Sequence, residues 1–157
     1  MGRLSGLFTT AAVLLLLGGC VAERTLGPHL IEELLPVQLG ADPPRLTDQL
    51  NRQPMISDSL GLVFQWKRSS GERVRLEAYG PKQIEALVAN LTAQTEDSCL
   101  AVYQALELEL REQLGLPVSG SPGNYAWHRP THSDLVVLRL LPDKKRLTLQ
   151  LLPAPPP

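Results

Sequence analysis

Two neighbouring stretches alternate apolar and polar side chains. Leu62, Phe64 and Trp66 oppose Val63, Gln65 and Lys67, then Val74, Leu76 and Ala78 oppose Arg73, Arg75 and Glu77. A period of two sends each set to one side of a pleated strand. The segment between them, Arg68-Ser-Ser-Gly-Glu72, is turn chemistry. The pair therefore predicts a β-hairpin with one buried face and one wet face.

At Gly80-Pro81 the period changes. Proline suits the first helical position, where its missing N–H would be unpaired anyway. Ile84, Leu87, Val88 and Leu91 follow at the spacing of one helix face, so a helix is expected over 81–91. A second is expected over 95–114. Thr95 is its N-cap, and Glu96 and Asp97 meet the positive end of its dipole. Cys99, Tyr103, Leu106, Leu110 and Leu114 form its stripe, while Glu107, Glu109, Arg111 and Glu112 form its wet side. Gly115 is expected to make a left-handed stop, with Leu116 as apolar partner and Pro117 blocking continuation.

Residues 119–124 read as a loop, and Tyr125–His128 as a short strand. Asp134–Leu141 and the alternating Leu147, Leu149 and Leu151 read as a closing hairpin around Pro142-Asp143-Lys144-Lys145. The order ββααβββ predicts an α+β two-layer sandwich: an antiparallel sheet of 4–5 strands with two helices on one face. Residues 59–152 are expected to hold this domain, and 153–157 a stiff proline-rich tail. Before it, prolines at 28, 36, 43, 44 and 54 break the chain repeatedly, so residues 20–58 read as a tether. Short amphipathic helices over 29–35 and 45–51 fit the pattern, but neither holds unless it packs on something.

The first twenty residues carry an address. Arg3 precedes an apolar run densest from Ala11 to Leu17, and Gly18 and Gly19 lead to Cys20. A positive end, a short apolar centre and small residues at a cut form a secretory signal over 1–19. The run is about half of the roughly 18 apolar residues that a spanning helix needs. Leu17-Gly18-Gly19-Cys20 resembles the lipobox of bacterial lipoproteins. That resemblance implies a diacylglyceryl thioether on Cys20, cleavage before it, and often N-acylation as well. Each buried CH₂ contributes about 0.8 kcal/mol, so one chain holds marginally and two or three hold firmly. In diderm bacteria an Asp after the cysteine resembles an inner-membrane retention signal. Val21 stands there, which implies the periplasmic side of the outer membrane, or the extracytoplasmic face of the cell membrane in other hosts.

Cleavage leaves 138 residues, enough for one domain, with net charge moving from −1 to −2 because only Arg3 is lost. Cys99 is then unpaired, so no internal disulfide holds the fold, and a small buried hydrophobe is its expected role. No basic run or stripe occurs in the sequence, which argues against nucleic acid as a partner.

His128-Arg129-Pro-Thr-His132-Ser133-Asp134 gathers the chain's candidate metal ligands, His128, His132 and Asp134. Two histidines across a proline turn lack the i, i+4 spacing of a helical zinc site, so a solvated turn is the plainer expectation. Gly120-Ser-Pro-Gly123 has no preceding strand and no following Lys-Ser/Thr, so it does not read as a phosphate cradle. No catalytic or cofactor-binding motif is recognised, and no cofactor is expected. Arg73 and Arg75, with Arg139, read either as a solvated sheet face or as a patch for an anionic partner. The helix ending at Leu114–Pro117, Trp127, and the hairpin Asp134–Leu151 resemble a pattern in small envelope lipoproteins that carries no known activity. The expectation is a non-enzymatic envelope module, anchored to the membrane through Cys20 and binding a protein or envelope component. The alternatives are a small hydrolase or metal-dependent enzyme using His128, His132 and Asp134, and an immunity or inhibitor lipoprotein.

Overall fold

The computed structural model describes residues 28–130 and 132–155; the signal segment and Cys20 lie outside them. The chain is a mixed α+β fold with an antiparallel sheet. Its elements are α1 (Pro28–Leu34), α2 (Pro43–Leu50), β1 (Ile56–Asp58), β2 (Gly61–Lys67), β3 (Arg73–Tyr79), β4 (Ala86–Thr92), α3 (Glu96–Leu114), β5 (Ser119–Ser121), β6 (Asn124–His128), β7 (Asp134–Leu140) and β8 (Arg146–Pro153). The strands form one eight-stranded sheet in the order β1-β2-β3-β4-β8-β7-β6-β5. Two four-stranded meanders, each preceded by helix, therefore meet along the β4·β8 ladder. The expected 4–5 strands are too few.

One face of the sheet is the core wall. Phe64, Leu76, Ala89, Leu149, Leu138 and Tyr125 lie in a single register row across six strands. Parallel rows add Trp66, Val74, Leu91, Leu147 and Leu140 on one side, and Leu62, Ala78, Leu87, Leu151, Val136 and Trp127 on the other. Cys99, Val102, Tyr103, Leu106 and Leu110 of α3 are buried in the same cluster. Thr95 caps α3 as expected. Its hydroxyl accepts from the Ser98 N–H at 3.1 Å, and the Ser98 hydroxyl accepts from the Thr95 N–H at 3.2 Å. The other end departs from expectation. Gly115 has φ +84° but ψ −153°, which is not a left-handed stop, and Leu116 is 80% exposed.

The expected helix over 81–91 is strand β4, so the anticipated pair of helices on one face does not exist. Leu87, Ala89 and Leu91 point into the core while Val88 and Asn90 point out. Leu87 and Leu91 satisfy both a helix period and a strand period, and the small Ala89 hides the second. Tertiary pairing decides between them: β4 is hydrogen-bonded to β3 on one side and β8 on the other. Ile84 sits in the bend before it, its N–H donating to the Ala41 carbonyl at 2.8 Å and its carbonyl accepting from Gly40 at 2.7 Å.

That bond marks a second correction. From residue 28 onward the expected tether belongs to the fold. Leu30, Ile31 and Leu34 of α1, Val37, and Leu46 and Leu50 of α2 are buried in the main core. Each such side chain contributes about 1.5–3 kcal/mol when fully buried. That burial holds helices of seven and eight residues, which would not persist alone. Residues 28–58 therefore belong to the domain, which the expectation began at 59.

Candidate functional site

The opposite face of the sheet is open. Helices, turns and core leave it uncovered among the described residues, and its side chains follow from the same alternation that builds the core. Register sorts them into rows. Nearest the β2–β3 turn lie Lys67, Arg73, Thr92 and Arg146. The next row is Gln65, Arg75, Asn90, Thr148, Arg139 and Asn124. These two rows hold five cations and no carboxylate. Beyond them lie Val63, Glu77, Val88, Gln150, Val137 and Ala126, and then Tyr79 and Ala86, with Leu152 paired to Leu135. The open face is thus cationic at one end and largely apolar at the other.

The basic stripe that is absent from the linear sequence is present in space, because four different strands each contribute one or two members. Arg75 donates to Glu77 at 2.6 Å, and the Tyr79 hydroxyl donates to the same carboxylate. Hydrogen bonds from Tyr79 and Arg75 hold the Glu77 carboxyl below its ordinary range. Arg146 is engaged by Asp143 of the preceding turn at 2.5 Å. Lys67 and Arg73 have no carboxylate partner among the described residues and are both exposed. Arg73, Arg75 and Arg146 line a shallow depression of about 380 Å³ with Gln65, Asn90 and Thr92. Thr148, in the middle of the cationic half, is only 6% exposed, and its hydroxyl is buried without a hydrogen bond.

A second recess, of about 310 Å³, opens where α1 passes the end of β2 and is lined by Leu30, Glu33, Arg52, Trp66 and Arg68. The Arg52 guanidinium stacks over Trp66 at 4.5 Å and binds Glu33 at 3.1 Å.

The segment singled out for metal chemistry is structural. Arg129 and Asp134 are 4% and 3% exposed, and two guanidinium nitrogens grip both carboxylate oxygens, Nε to Oδ1 at 2.6 Å. His128 is exposed at the end of β6, and His132 is half-buried in the turn, its N–H on the Arg129 carbonyl at 3.2 Å. With the Asp134 carboxylate committed to Arg129, the three candidates do not assemble into a ligand set. No group of three His, Cys, Asp or Glu able to hold a metal occurs among the described residues. Arg129 lay inside the same sequence cluster, and a forked pairing with carboxylate is what guanidinium geometry favours. Gly120 belongs to β5 rather than to a phosphate loop. Its φ is +135°, and a Cβ there would lie 2.2 Å from the Asn124 carbonyl oxygen. Cys99 is buried, and that burial, followed by the charge of Asp143, pushes its thiol up, away from the reactive thiolate.

No family model, curated protein or solved structure matches this chain.

Proposed function

We propose that this chain is a lipid-anchored envelope protein whose folded domain is a non-enzymatic binding module, and that the open sheet face is its binding surface. The observation that carries the reading is the apolar end of that face. Val137, Leu135 and Leu152 adjoin one another half-exposed, and Val88 and Val63 follow in the Val137 row beyond Gln150 and Glu77, all on the face opposite the core. A contiguous apolar patch rimmed by polar residues is what a protein partner covers. The Leu17–Cys20 motif supports the anchor, and Val21 supports the periplasmic side of the outer membrane in a diderm host. The enzyme alternative loses support because Asp134, its central acid, serves the fold.

Two measurements test this. Cys20→Ser should abolish lipid labelling and leave the chain unprocessed or soluble; a mature-length serine variant still on membranes sinks the anchor. A photo-crosslinking residue at Val137 should yield a discrete adduct in intact cells, and one at Leu108, 54% exposed on α3, should not. Equal adducts from both positions sink the choice of face.

A further inference from the structure

We propose that the cationic end of the open face rests on anionic phospholipid headgroups of the membrane that holds the anchor; this builds on the Cys20 reading above. Three observations carry it. First, Leu30 of α1 shares a recess with Trp66, Lys67, Arg68 and Ser69, so the chain enters the domain beside the end of β2 and the β2–β3 turn. Second, Cys20 lies eight residues upstream of Pro28. Fully extended, that stretch reaches at most about 29 Å. The anchor therefore keeps the start of α1, and the recess that it shares with the β2–β3 turn, within that distance of the bilayer.

Third, charge at the near end is divided. The open-face lip carries Lys67 and Arg73, extended by Lys144 and Lys145 in the β7–β8 turn, all exposed, while Arg146 is matched by Asp143. The acids of this end lie elsewhere or are engaged. Glu33 pairs with Arg52, Asp143 pairs with Arg146, Glu72 is buried and accepts from Ser70, and Glu96 and Asp97 belong to the first turn of α3. A lip of cations within a Debye length of about 10 Å of an anionic surface is attracted to it. The domain then stands on this end with the apolar end of its open face held away from the bilayer, where a partner can reach it.

The test uses two forms of the protein. The chain from Val21 onward keeps every core residue among the described residues and carries no lipid. It is mixed with vesicles of phosphatidylcholine alone or with added phosphatidylglycerol. We expect binding only with phosphatidylglycerol, weakening as salt rises. The variant Lys67→Gln, Arg73→Gln, Lys144→Gln, Lys145→Gln should bind more weakly by on the order of a thousandfold, with an unchanged melting temperature. Equal binding to neutral vesicles, or no effect of the variant, overturns the proposal. Loss of a protein crosslink at these cations without any vesicle binding assigns the lip to a protein and also overturns it. In the mature lipidated protein, a fluorophore on Ser69→Cys should be quenched by headgroup-labelled lipid and one on Ser133→Cys should not; the reverse order overturns the orientation. The mass of the N-terminal peptide reads acylation separately, so a failed anchor is distinguishable from a failed lip.

Discussion

Arg129 is the clasp between the N-terminal helices and the sheet: while it grips Asp134, its Nη1 also donates to the Val37 carbonyl at 2.7 Å and to the Leu35 carbonyl. One guanidinium thus satisfies a buried acid and the carbonyl end of α1 together. Arg129→Met should leave that acid and two carbonyls unpaired and cost about 3–5 kcal/mol. The double variant Arg129→Met, Asp134→Leu should recover part of the loss, because the orphaned charge is gone. Urea unfolding of the three proteins checks this. A single variant within about 1 kcal/mol of the parent would mean the pair is not buried in solution.

On α3, leucines two positions apart should behave oppositely. Leu106 is fully buried and Leu108 is 54% exposed. Leu106→Ala should cost about 2–5 kcal/mol, and Leu108→Ala less than about 0.5 kcal/mol. Matching losses in chemical denaturation would show that the helix presents another face to the sheet.

Tyr103 ties stability to alkaline pH. Burial, and then the nearby Glu107, pushes its phenol from 10.0 up to about 12. The unfolded chain releases this proton first. Stability from the group is therefore complete below pH 10 and declines as pH climbs from there toward 12, by up to about 2–3 kcal/mol. Its hydroxyl makes no hydrogen bond of good geometry, so Tyr103→Phe should be nearly neutral at pH 7. That variant should also flatten the alkaline decline; an unchanged pH profile would refute the assignment.

Cys99 should be silent to thiol reagents in the folded protein and react on unfolding. Its side chain is 1% exposed and its thiol is raised by burial. Labelling at the rate of a free thiol, without denaturant, would show that α3 opens readily at its first turn.

Where local pattern and tertiary demand agree, the sequence was readable. The hairpin β2–β3, the capping of α3 by Thr95, and the alternation of β7 and β8 were all legible, because each element's own side chains decide its structure. β4 was not. Its leucines fit two periods, and the choice between them was made by strands on either side. β1 and β5 are only three residues long, below what a period can reveal. The helices over 28–34 and 43–50 were visible as amphipathic pieces, but their membership of the core depended on a surface built from distant residues. The cationic end of the open face escaped for the same reason. Its members are separated by up to seventy-nine positions, from Lys67 to Arg146, and become neighbours only through register. The His128–Asp134 segment is conspicuous, yet its role turns on Arg129, whose guanidinium takes the Asp134 carboxylate.

The strand order has a kinetic meaning. Every ladder except β4·β8 joins strands that follow one another in the chain, so each meander can zip from its own turns. β4·β8 must wait until residues 92 and 146 meet, a closure that costs more chain entropy than any hairpin. Joining the two meanders should therefore be the slow event in folding. Substitutions that weaken Ala89 or Leu149, partners across that seam, should slow refolding, whereas trimming β1 or β5 should mainly hasten unfolding.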